Sequence, residues 1–106
     1  MTQEQLNQAL QSIGLPVVYD HFSKPPPPPY LVYLFAYSDD FMADNQNYKE
    51  ISNYQLELYT KIKSPTTESL VENKLRDLQL PYTKTGTFIE TEGLYQALYL
   101  FQVIGG

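Results

Sequence analysis

The sequence predicts an α+β fold: a mainly antiparallel four-stranded sheet, with a possible extra short strand, and two helices on one face, in the order α-β-β-α-β-β. Three observations carry this. Two segments begin with helix-capping residues and continue with apolar residues at helical spacing. Two others are aromatic-rich and either alternate or run apolar, as strands do. A Thr91-Glu92-Gly93 turn joins the last two strand-like segments as a hairpin. No repeat or long linker divides the chain, so residues 1–106 are expected to form a single domain.

The elements follow in order. Thr2-Gln3-Glu4-Gln5 reads as a capping box, and Leu6, Ala9, Leu10 and Ile13 then share one helical face. Gly14 and Pro16 end this helix, predicted over residues 2–13. Val17-Val18-Tyr19 is β-prone but short. Five prolines follow, within a loop over residues 24–29. They lack N–H donors and have a fixed φ, so they are expected to form a stiff polyproline II rod. The nearly all-apolar run 30–37 is a strand with both faces covered, or with one face against a partner. Ser38-Asp39-Asp40 is turn chemistry, Phe41-Met42-Ala43 a small apolar island, and Asp44 to Asn47 a loop.

In the second half, Tyr54, Leu56 and Leu58 alternate with Gln55, Glu57 and Tyr59, giving a half-buried strand over 49–62. Ser64-Pro65 starts a helix over 66–79, with Leu70 or Val71, Leu75 and Leu78 inward and Glu72–Arg76 as an i,i+4 pair. Residues 82–90 form a Thr-rich strand with Gly86 as a possible bulge. Residues 94–103 read as a last strand, although Leu94, Leu98 and Phe101 also fit a helix.

The chemistry-bearing residues are few. The chain has no cysteine and one histidine, which removes disulfides and thiolate metal sites. His21 beside Asp20 lacks a nucleophile, and adjacent side chains usually point apart. Asp39, Asp40, Asp44, Asn45 and Asn47 miss the spacing of a calcium loop. Glu90 and Glu92 flank an exposed turn, with nothing nearby in sequence to raise the pKa of one of them. No catalytic residue, cofactor or metal is expected, and the chain is read as a non-enzyme. A net charge of −5 with scattered basic residues argues against wrapping DNA or an anionic membrane. No apolar run reaches the ~20 residues of a membrane span, and the first residues do not read as a signal peptide.

Contact is the remaining theme. Ten tyrosines and five phenylalanines suit both strands and protein interfaces. Pro25-x-x-Pro28 could serve as a peptide ligand, but it runs directly into an apolar strand. The terminal Ile104-Gly105-Gly106 resembles a conjugation tail, but the opening helix does not suit such modifiers. A monomeric module using the proline run or aromatic strand to bind a host or regulatory protein is the alternative to a structural subunit.

The order of short segments resembles a known family. Tyr19-Asp20-His21-Phe22 precedes the Lys-Pro stretch. Pro29-Tyr30-Leu31-Val32-Tyr33, Phe41-Met42-Ala43-Asp44-Asn45 and Tyr54-Gln55-Leu56-Glu57-Leu58-Tyr59-Thr60 follow. Glu68 opens a helix, and Thr87-Phe88-Ile89-Glu90-Thr91-Glu92-Gly93-Leu94-Tyr95 comes last. Over residues 16–103 this resembles the small head–tail connector and tail-terminator proteins of long-tailed phages and prophages of Gram-positive bacteria. The resemblance implies an α+β subunit of a hexameric ring at the head-proximal end of the tail, made in the host cytoplasm. Its implied partners are further copies, the tail tube protein and head connector proteins, with genomic DNA passing through without sequence-specific binding. The expected contact residues are Pro26, Pro27, Pro28, Pro29 and Tyr30, and Asp39, Asp40, Phe41, Met42 and Tyr48 in the loop 39–48.

Overall fold

A computed structural model describes residues 1–39, 41–43 and 46–105, with 41–43 and 46–49 described by backbone pairing alone. Helix α1 spans Gln3–Gln11. Its capping box forms: Gln5 N–H donates to Thr2 Oγ1 at 3.1 Å and Thr2 N–H to Gln5 Oε1 at 2.9 Å. Gly14 takes φ +96°, a conformation suited to glycine, as the chain leaves the helix.

Strands β1 (Val17–Tyr19), β2 (Tyr30–Ser38), β3 (Phe41–Ala43), β4 (Gln46–Lys49) and β5 (Ile51–Thr60) come next. Helix α2 (Pro65–Asp77) follows, capped by Ser64 Oγ, which accepts from Thr67 N–H at 3.3 Å. Strands β6 (Tyr82–Ile89) and β7 (Leu94–Ile104) complete the chain.

The predicted four-stranded, mainly antiparallel sheet is corrected to a five-stranded mixed sheet in the order β1-β2-β5-β7-β6, with a separate β3-β4 hairpin. The two-helix count stands, but β1 is a full member of the sheet. Val17, Val18 and Tyr19 pair in parallel with Leu31, Val32 and Tyr33. A parallel pair needs a long return connection, and residues 20–29 supply one. The proline run is not a straight rod; it bends over residues 27–29. The 39–49 region, read as turn and loop, contains β3 and β4, so the predicted strand 49–62 begins at Ile51 instead.

Two other ambiguities resolve. Residues 94–104 form a strand, because Ala97, Tyr99, Phe101 and Val103 are buried while Leu100, Gln102 and Ile104 are exposed. That alternation of two places the apolar residues on one face, which a helix could not do. Gly86 is no bulge: β6 pairs with β7 without a register shift from Tyr82 to Ile89. The irregularity lies instead between Phe35 and Tyr37.

Both helices cover one sheet face. Leu6, Leu10, Val71 and Leu75, all fully buried, pack on Leu31, Tyr33, Tyr54, Leu56, Leu58, Ala97, Tyr99, Phe101 and Val103. Each buried Leu or Val contributes roughly 1.5–3 kcal/mol relative to exposure. Three tyrosines of this face carry their hydroxyls to the helices. Tyr33 donates to Asn7 Oδ1 at 2.8 Å, Tyr54 to Gln3 Oε1 at 3.1 Å and Tyr99 to Glu72 Oε2 at 2.7 Å. These bonds place α1 over β2 and β5, and α2 over β7.

Candidate assembly surface

The first of the expected contact regions is the proline loop. β1 ends at Tyr19, and the φ of 74° at Asp20 turns the chain out of the sheet. Asp20 N–H donates to Tyr33 O at 2.7 Å, which ties the turn to β2. Asp20 Oδ2 lies 2.9 Å from His21 Nδ1, so these neighbours do meet, contrary to the expectation that they point apart. Both are largely exposed and no hydroxyl nucleophile joins them, which makes the pair a surface contact. Pro26 and Pro28 are half-buried, whereas Pro25, Pro27 and Pro29 are exposed.

Beneath the loop is an aromatic column. Phe22 meets Tyr30 edge-on at 5.5 Å, and Tyr30 stacks on Tyr59 at 5.1 Å. Tyr30 is only 6% exposed, so it supports the loop rather than facing outward. From Tyr59 a polar chain crosses the helix-free face of the sheet. Gln96 Nε2 donates to the Tyr59 hydroxyl at 2.9 Å, and that hydroxyl donates to Glu57 Oε1 at 2.8 Å. Gln55 Nε2 donates to the other oxygen of Glu57. Burial, then the Glu57 carboxylate, pushes the Tyr59 phenol far above its ordinary value, so it stays protonated and donating.

The second region lies at the other end of β2. Asp39 N–H donates to Ile51 O at 2.8 Å, and Asp39 Oδ2 accepts from Asn53 Nδ2 at 3.1 Å. Phe41 and Met42 fall in β3 and Tyr48 in β4. Their side chains, with Asp40, Asp44 and Asn45, lie outside the described residues. A nine-residue strand separates the two regions by roughly 26–30 Å. Among the described residues, Pro26 to Tyr30 and Asp39 are therefore not gathered into one site; they stand at opposite ends of one strand.

The sequence left open whether one face of residues 30–37 meets a partner; the structure shows which of its aromatic residues are exposed. The first half of β2 is buried on both faces, but Phe35 is 41% and Tyr37 58% exposed. Beside them is an open groove of about 730 Å³, lined by Met1, Tyr37, Tyr54, Leu80, Phe101 and Ile104 among others. It exists because β6 starts at Tyr82, opposite Phe101, leaving the last three residues of β7 without a β6 neighbour. An all-apolar run does not reveal where its cover stops.

The most buried charged group serves the fold. Glu68, 5% exposed, accepts from Lys63 at 2.6 Å and from Lys84 at 2.7 Å, and Lys84 also reaches Glu72 at 2.6 Å. The predicted Glu72–Arg76 pair does not form; Arg76 instead donates to Asn73 and Tyr82. The reason is position: Glu72 points at the sheet, where Lys84 and Tyr99 are nearer. Among the described residues no cluster of His, Cys, Asp and Glu could hold a metal ion. Nor is any described helix long and apolar enough to cross a membrane.

No protein-family model matches the sequence, and no curated protein matches it. The fold does match solved structures. One is a chain from the virion of a native gene transfer agent particle, with a TM-score of 0.61 and 14% identity over 92% of this chain and 88% of that one. Another, whose name carries no functional description, gives a TM-score of 0.58 and 13% identity over 96% of this chain and 94% of that one. At such identities the likeness shows a shared fold.

Proposed function

We propose that this protein is a non-enzymatic structural subunit of a phage-like virion. More specifically, it acts at the head–tail interface as a tail terminator or tail-to-head joining subunit, assembling as a ring on the tail tube. The observation that carries the reading is the near end-to-end fold match to a chain of a gene transfer agent virion. It agrees with the family resemblance of the sequence segments. Contact regions at both ends of β2 suit a subunit that must touch unlike neighbours on two sides, as ring closure by heterologous contacts requires. The net charge of −5 suits a channel through which DNA slides without sticking. Copies of the chain, the tail tube protein and head connector proteins are the proposed partners, and the head-proximal end of the virion tail is the proposed location.

The test is negative-stain imaging of particles made without the protein. Overlong tails are expected if it terminates the tube; finished tails lying apart from heads are expected if it joins them. Normal tails attached to heads would overturn the reading.

A further inference from the structure

We propose that β6 is an open pairing edge that takes the same strand of a second copy, antiparallel, about a two-fold axis. The sheet has two edges, and they are treated differently. At one, β1 is three residues long, ends in the left-handed turn at Asp20 and leads into the proline run. The stretch of β2 beyond it carries the Phe35–Tyr37 irregularity, and the Phe35 N–H is already bound by the Tyr19 hydroxyl at 3.2 Å. Shortness, proline and a bulge are the devices that blunt a sheet edge.

The other edge has none of them. β6 runs eight residues in regular register, contains no proline, and six of its eight residues are exposed. Half of its backbone donors and acceptors point away from β7. An edge lysine would normally guard such a strand. Here the only charged side chain, Lys84, is drawn onto the helix face by Glu68 and Glu72.

A second copy fits this edge better than other occupants. Any strand can pair antiparallel with itself, whereas pairing β6 with the far edge of another copy meets the prolines and the bulge. If both helix layers lie on one side, residues of the same face meet. Thr83, Thr85 and Thr87 then face threonines or apolar neighbours of the other copy, and Thr–Thr pairs are favourable across strands. The strand is about 27 Å long. With a helix layer of about 10 Å beside it, the strip is on the order of 400–500 Å² per copy, below the roughly 600 Å² per partner of a stable interface and in the range of a weak, transient pair. The pairing uses the sheet edge opposite β1 and so leaves the proline loop free.

The experiment is light scattering after size exclusion at about 100 μM, suited to a weak pair. The wild-type chain is expected at twice its monomer mass. Thr83→Lys/Thr85→Lys/Thr87→Lys and the matching triple Glu variant, both on exposed positions and checked for native circular dichroism, are expected as monomers. An equimolar mixture of the two should recover the dimer. Thr85→Lys alone serves if the triple variant does not fold. A monomeric wild-type chain, or an assembly that the lysine variants leave intact, would overturn the proposal.

Discussion

At the scale of single residues, Glu68 matters most. It is buried in the first turn of α2, and buried charge survives only when paired. Burial pushes its carboxyl up, but the hydrogen bonds from Lys63 and Lys84 outweigh that and hold it below the ordinary value. Glu72 is depressed in the same way: burial raises it, and Lys84 and Tyr99 more than reverse the rise. A depressed carboxyl stabilises the fold fully above its unfolded pKa, about 4.3, and that contribution is lost as pH falls through the lower folded value. Lys84 has the opposite sign. Its pKa is raised by Glu68 and Glu72, so its contribution is full below about 10.4 and lost as pH rises through the folded value. Lys63 is half exposed, so solvent screening reduces what its bond to Glu68 contributes to stability. Glu68→Gln is therefore expected to cost about 1–3 kcal/mol at pH 7. In urea unfolding the gap to wild type should shrink as pH falls from 7 toward 3, because the unfolded wild-type carboxyl takes up its proton below about 4.3. A gap of equal size at both pH values would show that shape rather than charge is at work.

At the scale of elements, local chemistry made most of the fold legible. Thr2, Gln5, Ser64 and Pro65 marked both helix starts because capping depends on a few adjacent residues. Alternation located β5 and β7 because each has one face on the core. Reading failed where pairing is not local. Three residues of β1 carry no period, and the β3-β4 hairpin lies among polar residues that resemble a loop. The proline run was read as stiff, and its role is clearer now. It returns the chain so that β1 and β2 can run parallel. Replacing Pro26–Pro28 with Gly-Ser-Gly should leave the core cooperative while relaxing that return. The unfolded chain gains freedom, at roughly 0.4–1 kcal/mol for each proline removed, so about 1–3 kcal/mol in all. Hydrogen exchange should speed up at Val18 and Asp20, whose N–H groups face β2, and stay slow in β5 and β7. Uniform acceleration across the sheet would mean that the loop organises the whole fold.

At the scale of the whole molecule, strand order decides what is exposed. Sequence pattern found the four long strands but could not place β5 and β7 at the centre, with β1 and β6 outside. It therefore left β2 either covered on both faces or set with one face against a partner. β1 pairs with only three of its residues, and the helices stop short of its far end, so Phe35 and Tyr37 stay open. The molecule is 50 Å long against 27 and 24 Å, and this aromatic patch sits far from the proline loop. A subunit that joins unlike neighbours needs separated contacts of this kind. Tyr37→Asp tests the patch. The side chain is 58% exposed, so stability should change by no more than about 0.5 kcal/mol. An aromatic anchor at an interface contributes about 1–2 kcal/mol or more, so binding to purified tail tubes should weaken at least about tenfold. Leu70→Glu, at a 48% exposed position on α2 away from β2, is the control and should bind as wild type does. If the two variants bind equally well, the exposed end of β2 is a bare surface, and the proline loop becomes the contact to test next.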